Sequence, residues 1–301
     1  MKRDFLTLWD LSSDEIGGLL ARAAGLKAGK DASGCPLIGR SLGLLFEKPS
    51  TRTRVSFEAG IYQLGANAIT MNPSELQLGR GETLADTAKT LSRYLSGIVM
   101  RTFAHSTLEQ FAANSSIPVI NGLSDLHHPC QILADMMTII EKKGRLKGLK
   151  VAFIGDGNNV CNSMIEAASL MELNLTVACP EGFEPDAGIL EKAKGSARSE
   201  IIMLRDPREA AGMADVVYTD VWVSMGQEAH STEKRERLRD YQINSRLLAC
   251  AKKDAVVLHC LPAHRGEEIT DEVMDGPHSA VFDQAENRLH AQKALLEMLI
   301  I

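Results

Sequence analysis

The sequence predicts an α/β protein of two domains, each a parallel sheet flanked by helices, with the active site in the interdomain cleft. Three observations carry this expectation. Short apolar runs of strand length alternate with segments of helical period, and the alternation starts twice. A polar break, Lys142-Lys143-Gly144-Arg145-Leu146-Lys147-Gly148, separates the two starts. Residues able to do chemistry gather just after the apolar runs, where open parallel sheets bind their ligands. The domains are placed at residues 1–143 and 144–284, with a closing helix, 285–301, packing back on the first. A length of 301 residues fits two domains better than one.

Ser12 and Glu15 have capping-box spacing, so a helix is expected to about Leu26. Leu42–Phe46 is a strand, a turn and helix follow, and Gly65 ends that helix before a strand over 66–71. The polar segment from Asn72 to Gly81 is a candidate mobile loop. A helix over 82–95 leads to the strand Ile98-Val99-Met100 with Arg101 at its end. A helix over 106–114, a strand over 118–121 and a long helix from Pro129 to about Glu141 complete the first half. The second half reads as strands at 151–154, 175–179, 201–204, 216–219, 256–259 and 280–282, with helices over 164–171, near Ile189 and from Pro207. The last helix is expected over 285–301.

Composition narrows the classes. A net charge of −6 argues against wholesale nucleic-acid binding, so any anion site is local. Six scattered cysteines have no paired spacing, which fits a reducing cytosol and calls for no disulfide framework. No apolar run reaches membrane-spanning length, and the first residues carry neither a signal core nor transit character.

Glu47-Lys48-Pro49-Ser50-Thr51-Arg52-Thr53-Arg54 lies between a strand and a helix start. Hydroxyls and guanidiniums alternate there, beside free backbone N–H groups and the positive end of a helix dipole. That combination predicts a site for a small, doubly charged anion such as phosphate. It is not a Walker loop, because the glycine-rich stretch is missing. The plainer alternative is a capped helix with solvated arginines, which explains the unbroken alternation poorly.

Other constellations are weighed the same way. Gly155-Asp156-Gly157-Asn158-Asn159-Val160 lacks the third glycine of a dinucleotide fingerprint and reads as a tight strand-to-helix turn. Of its two asparagines, one is expected to cap the helix and the other is free to face a cleft. His127-His128 is a poor metal pair, because adjacent residues do not share a helix face. A neutral His128 at a helix start can instead donate to a carbonyl oxygen. His259-Cys260-Leu261-Pro262 is dense in reactive groups; zinc fails there on spacing, and a catalytic thiolate or a turn presenting carbonyls to an amine remains. Asp220 ends a strand and suits an ammonium, and Ser224-Met225-Gly226 reads as a closing loop hinged on glycine, or as a solvated surface loop.

Ser50-Thr51-Arg52-Thr53-Arg54 and His128-Pro129-Cys130-Gln131 resemble two signatures of the aspartate/ornithine carbamoyltransferase family. Asp220 with Ser224-Met225-Gly226, and His259-Cys260-Leu261-Pro262, resemble its ornithine branch. The likeness spans nearly the whole chain, from the first helix to Arg288. It implies transfer of a carbamoyl group from carbamoyl phosphate to the δ-amine of L-ornithine, giving citrulline and phosphate, as in arginine or urea-type metabolism. It implies that Ser50, Thr51, Arg52, Thr53 and Arg101 hold the phosphate, and that Thr53, Arg101, His128 and Arg288 polarise the carbonyl. Gln131 and the backbone carbonyls of Cys260 and Leu261 would accept from the carbamoyl N–H groups, and Gln77 matches a further carbamoyl-phosphate contact. Asn159, Asp220, Ser224 and Met225 match the ornithine site. Arg101, His128, Cys260 and Asp220 are the expected catalytic groups, with Asp220 or Cys260 taking the amine proton. No metal and no cofactor are called for. A homotrimer, or a multiple of trimers, without nucleic-acid or membrane partners, is the expected assembly, in the cytoplasm. Carbamoyl transfer to putrescine or N-acetylornithine, and a silent binding subunit, are the alternatives.

Overall fold

The computed structural model describes residues 2–30, 34–77, 81–223 and 231–301. The chain divides into two compact units, Met1–Met137 with Glu286–Ile301, and Thr138–Ala285. The division falls inside a helix, a few residues before the polar break at 142–148. Most of the closing helix counts with the first unit.

In the first unit, α1 (Ser13–Lys27) opens on the Ser12–Glu15 capping box. There follow β1 (Ser41–Phe46), α2 (Thr51–Gln63), β2 (Asn67–Met71), α3 (Leu84–Leu91), β3 (Gly97–Arg101), α4 (His105–Asn114), β4 (Val119–Leu123) and α5 (Pro129–Lys143). The four strands are parallel in the order β2-β1-β3-β4. Strand β3 is buried throughout and β1 nearly so, as an apolar run in a two-faced parallel sheet must be. Edge strand β2 is largely exposed. Helix α3 is shorter than its apolar pattern predicts. Thr83 caps it by accepting from the Asp86 N–H at 3.1 Å, and residues 92–95 close a turn rather than extend the helix.

In the second unit, β5 (Lys150–Ile154), α6 (Asn159–Met171), β6 (Asn174–Ala178), α7 (Ala187–Ser196), β7 (Ile201–Leu204), α8 (Pro207–Ala211) and β8 (Val216–Thr219) come first. Then come α9 (Ser231–Leu238), α10 (Ser245–Leu248), β9 (Val256–His259), α11 (Asp271–Met274) and α12 (Val281–Ile300). Its sheet is parallel with order β7-β6-β5-β8-β9. Buried side chains from β5, β8, β9, α8 and α9–α12 form one apolar cluster that includes Trp222 and Tyr241.

The strand expected over 280–282 is absent. Ser279 makes a single parallel bridge to Val257, and the Ala280 N–H donates to the Val257 carbonyl at 3.0 Å. Helix α12 then begins at Val281. Three apolar residues are too few for periodicity to tell a buried strand from a helix start.

Candidate active site

In each unit the strand order reverses at one place, and some of the expected residues stand there. In the first unit the reversal lies between β1 and β3. Ser50 follows β1 and Arg101 ends β3, so both stand at carboxyl ends of strands beside the switch point. In the second it lies between β5 and β8, which end in the Gly155–Asn159 turn and in Asp220.

Ser50 is the N-cap of α2, and its hydroxyl accepts from the Thr53 N–H at 3.3 Å. Arg101 Nη1 donates to Ser50 Oγ at 3.4 Å. The β3–β4 register shifts at Arg101, which pairs with Leu123 while Met100 pairs with Asn121. Such irregularities re-aim side chains beside functional sites. Arg288 of α12 donates from Nη2 to Thr53 Oγ1 at 3.1 Å and from Nη1 to Gln131 Oε1 at 2.5 Å. Gln131 in turn donates from Nε2 to Asp135 Oδ1 at 2.8 Å. Thr53, Arg101, His128, Gln131 and Arg288 are all buried. Burial pushes the His128 pKa well below its usual value, and Arg288, Arg101 and Arg52 push it the same way. The imidazole is therefore neutral at neutral pH, a hydrogen-bond donor set among three fixed cations. Its neighbour Cys130 is no nucleophile: burial raises the thiol to about 12, and it donates to the Asn121 carbonyl at 3.3 Å.

Not every expected cation belongs here. Arg54 is exposed and donates from Nε to Glu58 Oε1 at 3.0 Å, so the alternation of the motif puts Arg52 and Arg54 to different uses. Gln77 has an exposed side chain, and its carbonyl accepts from the Glu82 N–H at 3.3 Å. Lys48, which carried no assigned role, is buried against the Phe103 ring at 4.2 Å and pairs with Asp125.

The second cluster centres on buried Asp220. Its Oδ2 accepts from Asn158 Nδ2 at 2.7 Å; its Oδ1 accepts from the Val221 N–H at 2.8 Å and from the Cys260 thiol at 2.7 Å. Asn158 is the N-cap of α6 and accepts from Val160 and Cys161, so it is the capping member of the asparagine pair; Asn159 is the first helical residue. Gly157 is required by a close approach, not by a dinucleotide: a Cβ there would lie 2.2 Å from the Pro185 nitrogen. Asp156 forms a buried ion pair with Lys234 of α9, Nζ to Oδ2 2.7 Å. Burial raises its pKa to about 6, with Lys234 opposing and Asp220 adding to the rise. Ser224 and Met225 lie outside the described residues.

Leu261 has φ +58° and donates its N–H to His259 Nδ1 at 2.9 Å, while His259 Nε2 lies 3.0 Å from Glu268 Oε1. Donor atoms of Asp220, His259 and Cys260 fall within 4.8 Å of one another, a grouping that residue spacing does not reveal. Both His259 nitrogens are engaged and the Cys260 thiol donates to Asp220, so the group reads as a hydrogen-bond network. His264, Glu267 and Glu268 form a second such group.

A family model described as the carbamoyl-P binding domain of aspartate/ornithine carbamoyltransferase matches residues 3–141, and its Asp/Orn binding domain counterpart matches residues 147–299. The ornithine carbamoyltransferase of Syntrophus aciditrophicus is 55% identical over 302 residues, covering 100% of both chains. The anabolic ornithine carbamoyltransferase of Pseudomonas aeruginosa is 54% identical, over 99% of this chain and 97% of the relative. Among solved structures, that of ornithine carbamoyltransferase from Pyrococcus furiosus is similar with a TM-score of 0.95 at 49% identity, covering 99% of this chain and 97% of the other.

Proposed function

The chain belongs to the aspartate/ornithine carbamoyltransferase family, and we propose from that membership how its two clusters share the chemistry. It transfers the carbamoyl group from carbamoyl phosphate to the δ-amine of L-ornithine, giving L-citrulline and phosphate. An anabolic part in metabolism is proposed for it, the word that names the Pseudomonas relative.

One observation carries the assignment of the first cluster: a buried, neutral His128 among Arg52, Arg101 and Arg288. Ser50, Thr51, Arg52, Thr53 and Arg101 take the phosphate. Thr53, Arg101, His128 and Arg288 donate to the carbonyl oxygen, and Gln131 accepts from the carbamoyl N–H groups. The carbonyls of Cys260 and Leu261 share that last task, and Gln77 adds a contact to carbamoyl phosphate. Asn159, Asp220, Ser224 and Met225 take the ornithine.

An alkylammonium with a pKa of about 10 is not a nucleophile at neutral pH. Asp220 takes its proton. The Cys260 thiol donates to Asp220 and is thus the protonated partner of the two, which favours the carboxylate as base. The freed δ-nitrogen forms a bond to the carbonyl carbon, and the C=O pair moves to oxygen. Donors waiting at that oxygen stabilise the oxyanion, each worth roughly 10²–10³ in rate. The intermediate collapses by breaking the C–O bond to phosphate, which leaves with the bonding pair and takes the excess proton of the attacking nitrogen, leaving the neutral ureido group.

Val55 and Tyr62 on α2 and Ile69 on edge strand β2 are exposed apolar side chains, which supports self-association; a homotrimer is the assembly proposed. Six cysteines without a disulfide support the cytoplasm.

The deciding experiment offers carbamoyl phosphate with ornithine, N-acetylornithine, putrescine and aspartate in parallel. Product with ornithine alone is expected. Product with another acceptor would overturn the amine assignments and leave the phosphate assignments standing.

A further inference from the structure

We propose that Asp135 is a positioning residue that makes the site read the amino group of carbamoyl phosphate, by fixing the Gln131 amide with its oxygen toward that group. The inference rests on the reading of Gln131 as the acceptor for the carbamoyl N–H groups.

Gln131 and Asp135 stand four residues apart on α5, so they share one face of the helix. Both side chains are buried. An amide has a donor end and an acceptor end, and in a dry site its orientation decides what it recognises. Here the two ends have partners of opposite kind. Asp135 Oδ1 accepts from Nε2 at 2.8 Å, and Arg288 Nη1 donates to Oε1 at 2.5 Å. A guanidinium can only donate, so the amide oxygen is the one end that suits Arg288; Asp135 Oδ1 accepts, so Nε2 is the end that suits it. The orientation is therefore dictated from both sides.

Oε1 keeps a second lone pair after serving Arg288. That lone pair is matched to an N–H of a carbamoyl group whose oxygen faces Arg288, Thr53 and His128. Inverting the amide would set Nε2 against the substrate's NH₂, donor against donor, and leave buried groups unpaired. Acetyl phosphate is nearly the same size, carries a methyl in place of NH₂ and makes no use of Oε1. Sites built to hydrogen-bond a substrate group discriminate strongly against analogues lacking it. Asp135, which need touch no substrate, thus supports selection of a carbamoyl over an acyl phosphate.

The test uses the full-length enzyme at saturating ornithine. It compares KM for carbamoyl phosphate with the competitive inhibition constants of acetyl phosphate and inorganic phosphate, in wild type, Asp135→Asn and Gln131→Met. Asparagine can present either end to Gln131 and so removes the Asp135 side of the constraint, leaving Arg288 alone to hold the amide. The expected result for Asp135→Asn is a carbamoyl-phosphate KM raised about tenfold, with both inhibition constants unchanged within about twofold. Should Asp135→Asn fail to fold by circular dichroism, Asp135→Ala takes its place. A parallel weakening of all three ligands would show a purely structural role and overturn the proposal, as would no change in any. If Gln131→Met loses the discrimination and Asp135→Asn retains it, Gln131 reads the amine without Asp135. If Gln131→Met retains it, the reading of Gln131 itself falls, and the inference with it.

Discussion

Replacing Lys234 with methionine should destabilise the protein in a pH-dependent way. The ammonium lies 2.7 Å from Asp156 Oδ2, and both side chains are buried. Asp156 already titrates at about 6 instead of 3.8, because burial and then Asp220 outweigh what Lys234 gives back. Roughly two pKa steps correspond to about 3 kcal/mol. The folded protein holds this proton more tightly than the unfolded chain does. The stability it contributes is therefore complete below about pH 4 and lost as the pH rises through about 6. Without Lys234 the folded pKa rises further, so the loss continues toward neutrality. Removing one partner of a buried ion pair typically costs 3–5 kcal/mol. We expect the variant to be about 3 kcal/mol less stable at pH 8, or roughly 6–12 °C in Tm at about 2–4 °C per kcal/mol. At pH 5, where Asp156 is already mostly protonated, the gap should fall below about 1 kcal/mol. Thermal and urea melts followed by circular dichroism at both pH values measure this, and Asp156→Asn combined with Lys234→Met should recover most of the loss. Equal destabilisation at pH 5 and pH 8 would refute the reasoning and attribute the effect to packing of the lysine stem.

Arg52→Ala should cut kcat/KM for carbamoyl phosphate by at least about 10² with the circular dichroism spectrum intact, whereas Arg54→Ala, whose guanidinium is spent on Glu58, should stay within about twofold of wild type. His128→Asn should lower kcat by roughly 10²–10³. In wild type, kcat/KM should show no inflection from His128 between pH 6 and pH 8, because the buried imidazole stays neutral throughout that range; steady-state pH profiles check both statements. Gly157→Ala should cost on the order of 3 kcal/mol, since its Cβ would meet backbone at 2.2 Å rather than a side chain able to move aside; denaturant melts report it.

What was legible in the sequence is what short range decides. The strand–turn–helix around Ser50 was readable because a cap, a turn residue and two periodicities coincide within a dozen residues. That one of Asn158 and Asn159 caps the helix was readable for the same reason, though not that it is Asn158. The use of Arg54 was not readable, because its partner Glu58 competes with the anion only once the helix face is known. Asp135 and Lys234 escaped notice because each looks like an ordinary charge on a helix. Their importance comes from buried partners: Gln131, itself tied to Arg288 of α12, and Asp156, 78 residues away in sequence. The short segment at 280–282 misled because three apolar residues suit either a strand or the first turn of a helix.

The two clusters divide titratable from fixed charge. The anion cluster relies on guanidiniums, which keep their charge at any working pH, and on a histidine whose neutrality those guanidiniums help enforce. Nothing in that set changes protonation near neutrality, so recognition of carbamoyl phosphate by these residues should be insensitive to pH. The cluster proposed for the amine holds Asp220 with the Cys260 thiol donating to it, and near it Asp156, paired with Lys234, titrates at about 6. The proposed role of Asp220 as acceptor of the amine proton calls for a group that exchanges protons, which a fixed guanidinium does not. The pH dependence of turnover should therefore appear in kcat/KM for ornithine and be missing from kcat/KM for carbamoyl phosphate. A profile in which the carbamoyl-phosphate parameter titrates between pH 6 and pH 8 would place an ionising group in the anion cluster, and none of the buried residues assigned there can supply it.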